Sequence, residues 1–154
     1  MLVEKMNYER LKERGLVEEV LPNYNGVVNL LYRSLKDLKT AKANMEIDEE
    51  WAYTIAYQAI IRAARALIMA EGYRPKGREV QKTIIMLTGV LRADDFGPLV
   101  NKFDLMRRKR QRFMEEGGRP IPKYEVTDAL QDAEQFVERV LKIVKEKNPQ
   151  LSFI

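Results

Sequence analysis

The 154-residue chain contains no cysteine and no histidine. Without thiols there are no disulfides and no cysteine nucleophile, and without either residue Cys/His zinc sites are excluded. A Ser-His-Asp triad is excluded for the same reason. The usual general base at neutral pH is missing too, so proton transfer would fall to carboxylate, lysine, tyrosine or substrate. No apolar run approaches the roughly 18–20 residues of a membrane span, and the N-terminal MLVEKMNYERLKERG is too charged for a signal peptide. A soluble cytoplasmic protein without membrane contact is therefore expected. The glycines, among them Gly72, Gly77, Gly89 and Gly97, form no phosphate loop and no dinucleotide pattern. Acidic residues occur as Asp48-Glu49-Glu50, Asp94-Asp95 and Glu115-Glu116. Neighbours on a helix diverge by roughly 100°, so adjacent acids share a metal poorly. The first two groups read as helix-start charges. No metal and no cofactor are expected.

What the chain does have is enough apolar residue, 45%, to build a core and enough charge, 32%, to solvate its surface. Its length suits one domain. The net charge of +4 is unevenly placed: Gly72 to Arg112 holds eleven Lys or Arg against four acids, and the remainder is net negative. The middle of the chain is the part suited to an anionic partner.

Hydrophobic spacing predicts helices throughout and no strand. Residues 3–14 read as a short charged helix stopped by Gly15, and 16–21 as a turn before Pro22-Asn23, so residues 1–22 form an N-terminal helical arm. Residues 23–148 form a single helical bundle. A long helix begins at Tyr24 with Val28, Leu31, Leu35, Leu38 and Met45 on one side. Asp48 is the expected N-cap of the next, the most apolar of all, which runs to Gly72. The segment 72–78, GYRPKGR, is a turn. Helices follow at about 78–92, 95–115 and 124–147, the fourth ended by Gly117-Gly118 and the last by Asn148-Pro149. The fold class expected is all-α, an up-and-down antiparallel bundle of four to five long helices with short loops.

The inward stripe of the fourth helix, Phe96, Leu99, Phe103 and Met106, continues onto Arg110 before Phe113. A buried guanidinium is costly alone, so Arg110 meets a neighbouring carboxylate, opens onto a cleft or faces a partner subunit. Its planar fork suits phosphate. Around it, Arg107-Arg108-Lys109-Arg110-Gln111-Arg112 is either a solvated face or a run whose repulsion a polyanion relieves. In the second long helix Thr54, Gln58, Arg62 and Arg65 form a polar line, either solvent-facing or lining the cleft that Arg110 enters. Tyr53 and Tyr57 are candidates for stacking on bases, with core packing the competing reading.

The stretch LLYRSLKDLKTAKANMEIDEEWAYTIAYQAIIRAARALIMAEGYRPKGREVQKT, followed by FDLMRRKRQRFMEE, resembles the HEPN domain family over about residues 26–145. The combination of ARALIMAEGYRPKG with an FDxMRxxR helix carries the resemblance, whose nearest branch is the small stand-alone prokaryotic proteins. It implies a four- to five-helix antiparallel bundle, a homodimer, and association with a minimal nucleotidyltransferase in toxin–antitoxin systems. Many members are metal-independent ribonucleases whose motif is an arginine, a polar residue and a histidine further on, paired across the dimer. Arg110 matches the arginine and Gln111 the polar residue. The histidine window falls on Glu115, Glu116 and Gly117, so the histidine is missing. The expectation is a basic cleft that binds RNA or a nucleotide through Arg110 with Arg62, Arg65, Arg107, Arg108 and Gln111. The alternatives are a metal-independent ribonuclease in which Arg110 works with a carboxylate, Glu115 or Glu116, and a dimeric scaffold whose Arg110 only stitches the interface.

Overall fold

The computed structural model describes residues 7–117 and 120–151. Residues 3–6 of the expected first helix, with Gly118 and Arg119 after the fourth, lie outside the described residues. Helix α1 (Tyr8–Glu13) is followed by strand β1 (Val17–Glu19), α2 (Tyr24–Asn44) and α3 (Glu49–Ala70). Strand β2 (Tyr73–Pro75), α4 (Val80–Leu91), the short α5 (Ala93–Phe96), a 3-10 turn (Gly97–Leu99), α6 (Val100–Glu116) and α7 (Lys123–Lys147) complete the order. The protein is predominantly helical.

Local chemistry accounts for the helix ends. The Asn23 side chain accepts the Gly26 amide at the start of α2, and that of Asp48 accepts the Trp51 amide at 3.1 Å at the start of α3. Glu49 and Glu50 then occupy the positive first turn of α3. Pro98, which has no amide hydrogen to donate, sits in the 3-10 turn that separates α5 from α6. The single fourth helix read from periodicity over 95–115 is thus two helices with a break. At the far end α6 stops because Gly117 adopts φ +75°, the left-handed conformation that glycine takes without strain.

Helix α3 is the centre of the molecule. It packs against α2, α7, α4 and α6, most extensively against α2. Six alanines, Ala52, Ala56, Ala59, Ala63, Ala66 and Ala70, recur along it at alternating steps of four and three and are all buried. Small side chains let a neighbouring backbone come close, and the buried Ser34 hydroxyl of α2 reaches the Ala59 carbonyl at 2.7 Å. On the other side of the core the rings of Phe96 and Phe103 meet Phe136 edge-on, at centroid distances of 4.8 and 5.0 Å.

Two expectations are corrected. The first concerns strands, of which none was predicted: residues 17–19 and 73–75 pair antiparallel, Val17 opposite Pro75 and Glu19 opposite Tyr73. Three residues are too few for alternation to register, and the pairing depends on partners more than fifty positions apart. The side chain of Glu18 meets both Arg74 and Lys76 across the ladder. This ties the N-terminal arm to the bundle, as does Leu11, which is fully buried. The second concerns direction. Tyr57 in the first half of α3 bonds Gln81 at the start of α4, while Glu71, just past α3, pairs with Arg92, just past α4. Helix α4 therefore runs in the same sense as α3, because the β2 segment carries the chain back before α4 begins. A strict up-and-down order, with every loop reversing the chain, does not hold there.

The phenylalanine cluster makes a stability prediction. Phe136→Ala should lower the unfolding free energy by about 3–5 kcal/mol, read as a fall in the urea midpoint at unchanged slope. A loss well below 1 kcal/mol would contradict the packing described.

Candidate functional site

The side chains of the basic helix α6 take different surroundings. Asp104 is buried, and its carboxylate accepts from Arg107 Nε at 2.9 Å and lies 3.5 Å from Arg108 Nε. These are the three- and four-residue spacings at which helix side chains meet. Lys109 is paired with Glu125 and Lys102 with Asp132 at 2.7 Å, both on α7. Gln111, Arg112, Glu115 and Glu116 are exposed.

Arg110 differs from all of these. It is half-buried, its Nε atom is shielded from solvent without a hydrogen-bond partner, and no carboxylate among the described residues pairs with it. Its charge is felt instead at Tyr57, together with that of Arg107. Tyr57 is fully buried and donates its hydroxyl hydrogen to Gln81 Oε1 at 2.7 Å. Burial holds its phenol well above the ordinary value against the opposing pull of the two guanidinium groups. Among the described residues Arg110 therefore meets no carboxylate, and it lines none of the cavities described, so the basic cleft expected from the sequence is not formed around it within one chain. An anion delivered to this face would meet a guanidinium already partly stripped of water, where a charge-assisted hydrogen bond is strongest.

The other sequence-predicted residues divide. Arg107 stands beside Arg110 against Tyr57 but is neutralised by Asp104. Arg108 is exposed and, about 160° around α6 from Arg110, belongs to another face. Glu115 lies five residues beyond Arg110 and about 140° around a helix that stays regular to Glu116, so one chain does not bring the two together. Arg62 of α3 is taken up by α2, with Nη1 2.5 Å from Asp37 Oδ2, and Arg33 approaches the same carboxylate at 3.3 Å. Arg65 is half-buried and has no ion-pair partner among the described residues. Thr54 is buried and bonds the Glu50 carbonyl, which removes it from the polar line. Tyr53 and Tyr57 are 1% and 0% exposed, so they are core rings rather than stacking surfaces.

Sequence reasoning missed Asp37 and Asp104, the two acids that decide which arginines are spoken for. Both left a signal: Asp37 interrupts the apolar stripe Leu31, Ser34, Leu38, Ala41, and Asp104 precedes Arg107 and Arg108 by one turn. Among the described residues no group of acids is placed to hold a metal, and no helix is long and apolar enough to cross a membrane.

The HEPN domain model matches residues 27–144, most of the chain and all of the site just described. The chain belongs to the HEPN family. Comparison with curated proteins and with solved structures gave no match. Arg110, the arginine expected from the resemblance, is half-buried, and the sequence contains no histidine to accompany it.

The buried tyrosines of α3 make a pH prediction. Burial moves the Tyr53 phenol from 10.0 up to about 12 and Tyr57 in the same direction. A raised folded-state value stabilises the fold fully below the unfolded value of about 10 and loses that contribution as pH climbs through the folded one. The urea midpoint should therefore fall above about pH 10, and Tyr53→Phe should flatten the fall. An equally steep fall in the variant would contradict the assignment.

Proposed function

We propose that this HEPN protein is a homodimer that binds RNA or a nucleotide at the face around Arg110 and does not cleave it efficiently. The observation that carries the proposal is the half-buried Arg110 guanidinium, which has no carboxylate to meet among the described residues. Leaving such a charge uncompensated is costly, and a phosphate oxygen is the ligand its planar fork suits. Arg65, equally without an ion-pair partner, and the basic middle of the chain support an anionic ligand. Arg107 beside Arg110 and the exposed Gln111 are proposed to take phosphate after Arg110, whereas Arg108 lies on another face of α6 and Arg62 remains tied to Asp37.

The missing histidine supports binding over catalysis. Losing general acid–base assistance typically costs about 10²–10⁴ in rate. A glutamate such as Glu115 would have to act from the other copy of the dimer, against the like charge of the phosphate. A minimal nucleotidyltransferase is the proposed partner chain, in a toxin–antitoxin arrangement.

The test follows retention and cleavage of mixed labelled RNAs together, in EDTA, for the wild type and Arg110→Ala. We expect salt-sensitive retention without cleavage, weakened tenfold or more in the variant, as befits a lost hydrogen bond to a charged group. Retention unchanged by the substitution would overturn the proposal. Cleavage that disappears in Arg110→Ala would replace it with the ribonuclease reading, and altered sedimentation of the RNA-free variant with the scaffold reading.

A further inference from the structure

From Trp51 onward, every position of α3 that is not buried lies on one stripe: Trp51, Ile55, Gln58, Arg62, Arg65 and Met69, at alternating steps of four and three. The stripe is open at the Trp51 end, where the residue is 42% exposed. At the other end a Cβ on Gly26 of α2 would stand 3.0 Å from the Met69 sulfur, so α2 covers it. From Trp51 to Arg65 it runs about 21 Å at 1.5 Å per residue.

The open end of this stripe adjoins the Arg110 face. Phe113 follows Arg110 by one turn on α6 and meets Trp51 edge-on, with ring centroids 5.4 Å apart and planes at 89°. Met114, 48% exposed, is its neighbour on α6. The contact with Phe113 holds the indole without covering it. Here a half-exposed indole stands against the α6 turn that follows an arginine with no carboxylate among the described residues, and the same stripe carries a second such arginine, Arg65. Glu49 and Glu50 precede Trp51, but they point about 200° and 100° away from it around the helix.

From this juxtaposition we infer that Trp51 is a stacking platform for a nucleobase, and that the ligand of the Arg110 face is a single-stranded nucleic acid segment rather than a phosphate group alone. The inference rests on the proposed function and adds to it the part of the ligand that carries no charge. A stacked base gains about 1–3 kcal/mol and does so for any base, since each has a π face. A phosphate beside it then reaches Arg110, and one several nucleotides further along the strand reaches Arg65, about 21 Å away along α3. A double helix keeps its bases stacked on one another and offers none to the indole. A second copy of the chain is the competing occupant. Centred on Trp51, such a contact would bring together two Arg110 guanidinium groups with the exposed Glu115 and Glu116 of both copies, whereas an anionic strand meets the guanidinium groups directly.

Trp51 is the only tryptophan in the sequence, so intrinsic emission reports on this position alone. The probes are a short single-stranded oligoadenylate and an inorganic polyphosphate of matched charge, titrated in EDTA. We expect oligoadenylate to quench the emission, while polyphosphate binds more weakly and leaves it nearly unchanged. Trp51→Ala should weaken oligoadenylate binding between several-fold and about a hundredfold, leave polyphosphate binding as it is, and be largely rescued in Trp51→Phe. Arg110→Ala should weaken both. Oligoadenylate binding that depends on Arg110 but leaves the emission unquenched, or is unchanged in Trp51→Ala, would overturn the stacking inference and keep the proposed function. Binding of neither probe would overturn both. A concentration-dependent emission shift without RNA, lost together with the larger sedimenting species in Trp51→Ala, would assign the surface to a second copy instead.

Discussion

The burial of α3 is the constraint on which the rest of the structure depends. A helix can be enclosed this far only if one flank lets a neighbouring backbone approach closely, and the alanine ladder from Ala52 to Ala70 provides that flank. The Ser34 hydroxyl then reaches a backbone carbonyl of α3 directly. The bulky flank, with Tyr53, Tyr57, Ile60, Ile61, Ala64 and Ile68, is left for the other helices to cover. With so little of α3 reaching solvent, whatever remains accessible is confined to one narrow stripe, and that stripe carries Trp51, Arg62 and Arg65.

Charge is arranged on the same scaffold. Most cations of the helices near the site have an acid within reach: Arg62 has Asp37, Arg107 has Asp104, Lys109 has Glu125 and Lys102 has Asp132. Such pairs recover part of the cost of removing charge from water. Arg110 sits three residues from Arg107 on the same helix and lacks this compensation, although its Nε is as sheltered as a core atom. The difference arises from the placement of Asp104, which lies one turn before Arg107 and on a different flank from Arg110. In the proposed function, a site for an anion is made by leaving out an acid, not by adding more bases.

The legibility of these features in the sequence was uneven for physical reasons. Helices of three turns or more announced themselves through apolar spacing, and the Asp48 cap and Gly117 stop through local chemistry. The break at Pro98 was visible in principle, but the apolar period carries on through it from Phe96 to Phe103. The β1–β2 pair was invisible because a three-residue strand has no period and its hydrogen bonds join distant segments. The sense of α4 was equally hidden: a Gly- and Pro-containing loop of GYRPKGR reads as a turn, and only contacts at both ends tell whether the chain turns once or runs back first. In the site, Arg110 was identifiable as a cation on an inward stripe. Which of Arg62, Arg65 and Arg107 were already paired depended on acids that periodicity treats as interruptions.

The sequence by itself determined the helical class, the caps and stops, the family and the presence of a guanidinium on an apolar face, because each depends on residues within a few turns of one another or on a pattern spread over the whole chain. It also determined the lack of histidine, and with it the chemistry closed to the site. Only the tertiary structure decided that Arg110 has no carboxylate partner among the described residues, that Tyr53 and Tyr57 are sealed in the core, and that Trp51 is held against Phe113, one turn beyond Arg110 on α6. Those outcomes depend on which helix flank meets which, and that is settled by packing between segments forty to sixty residues apart rather than by any local preference.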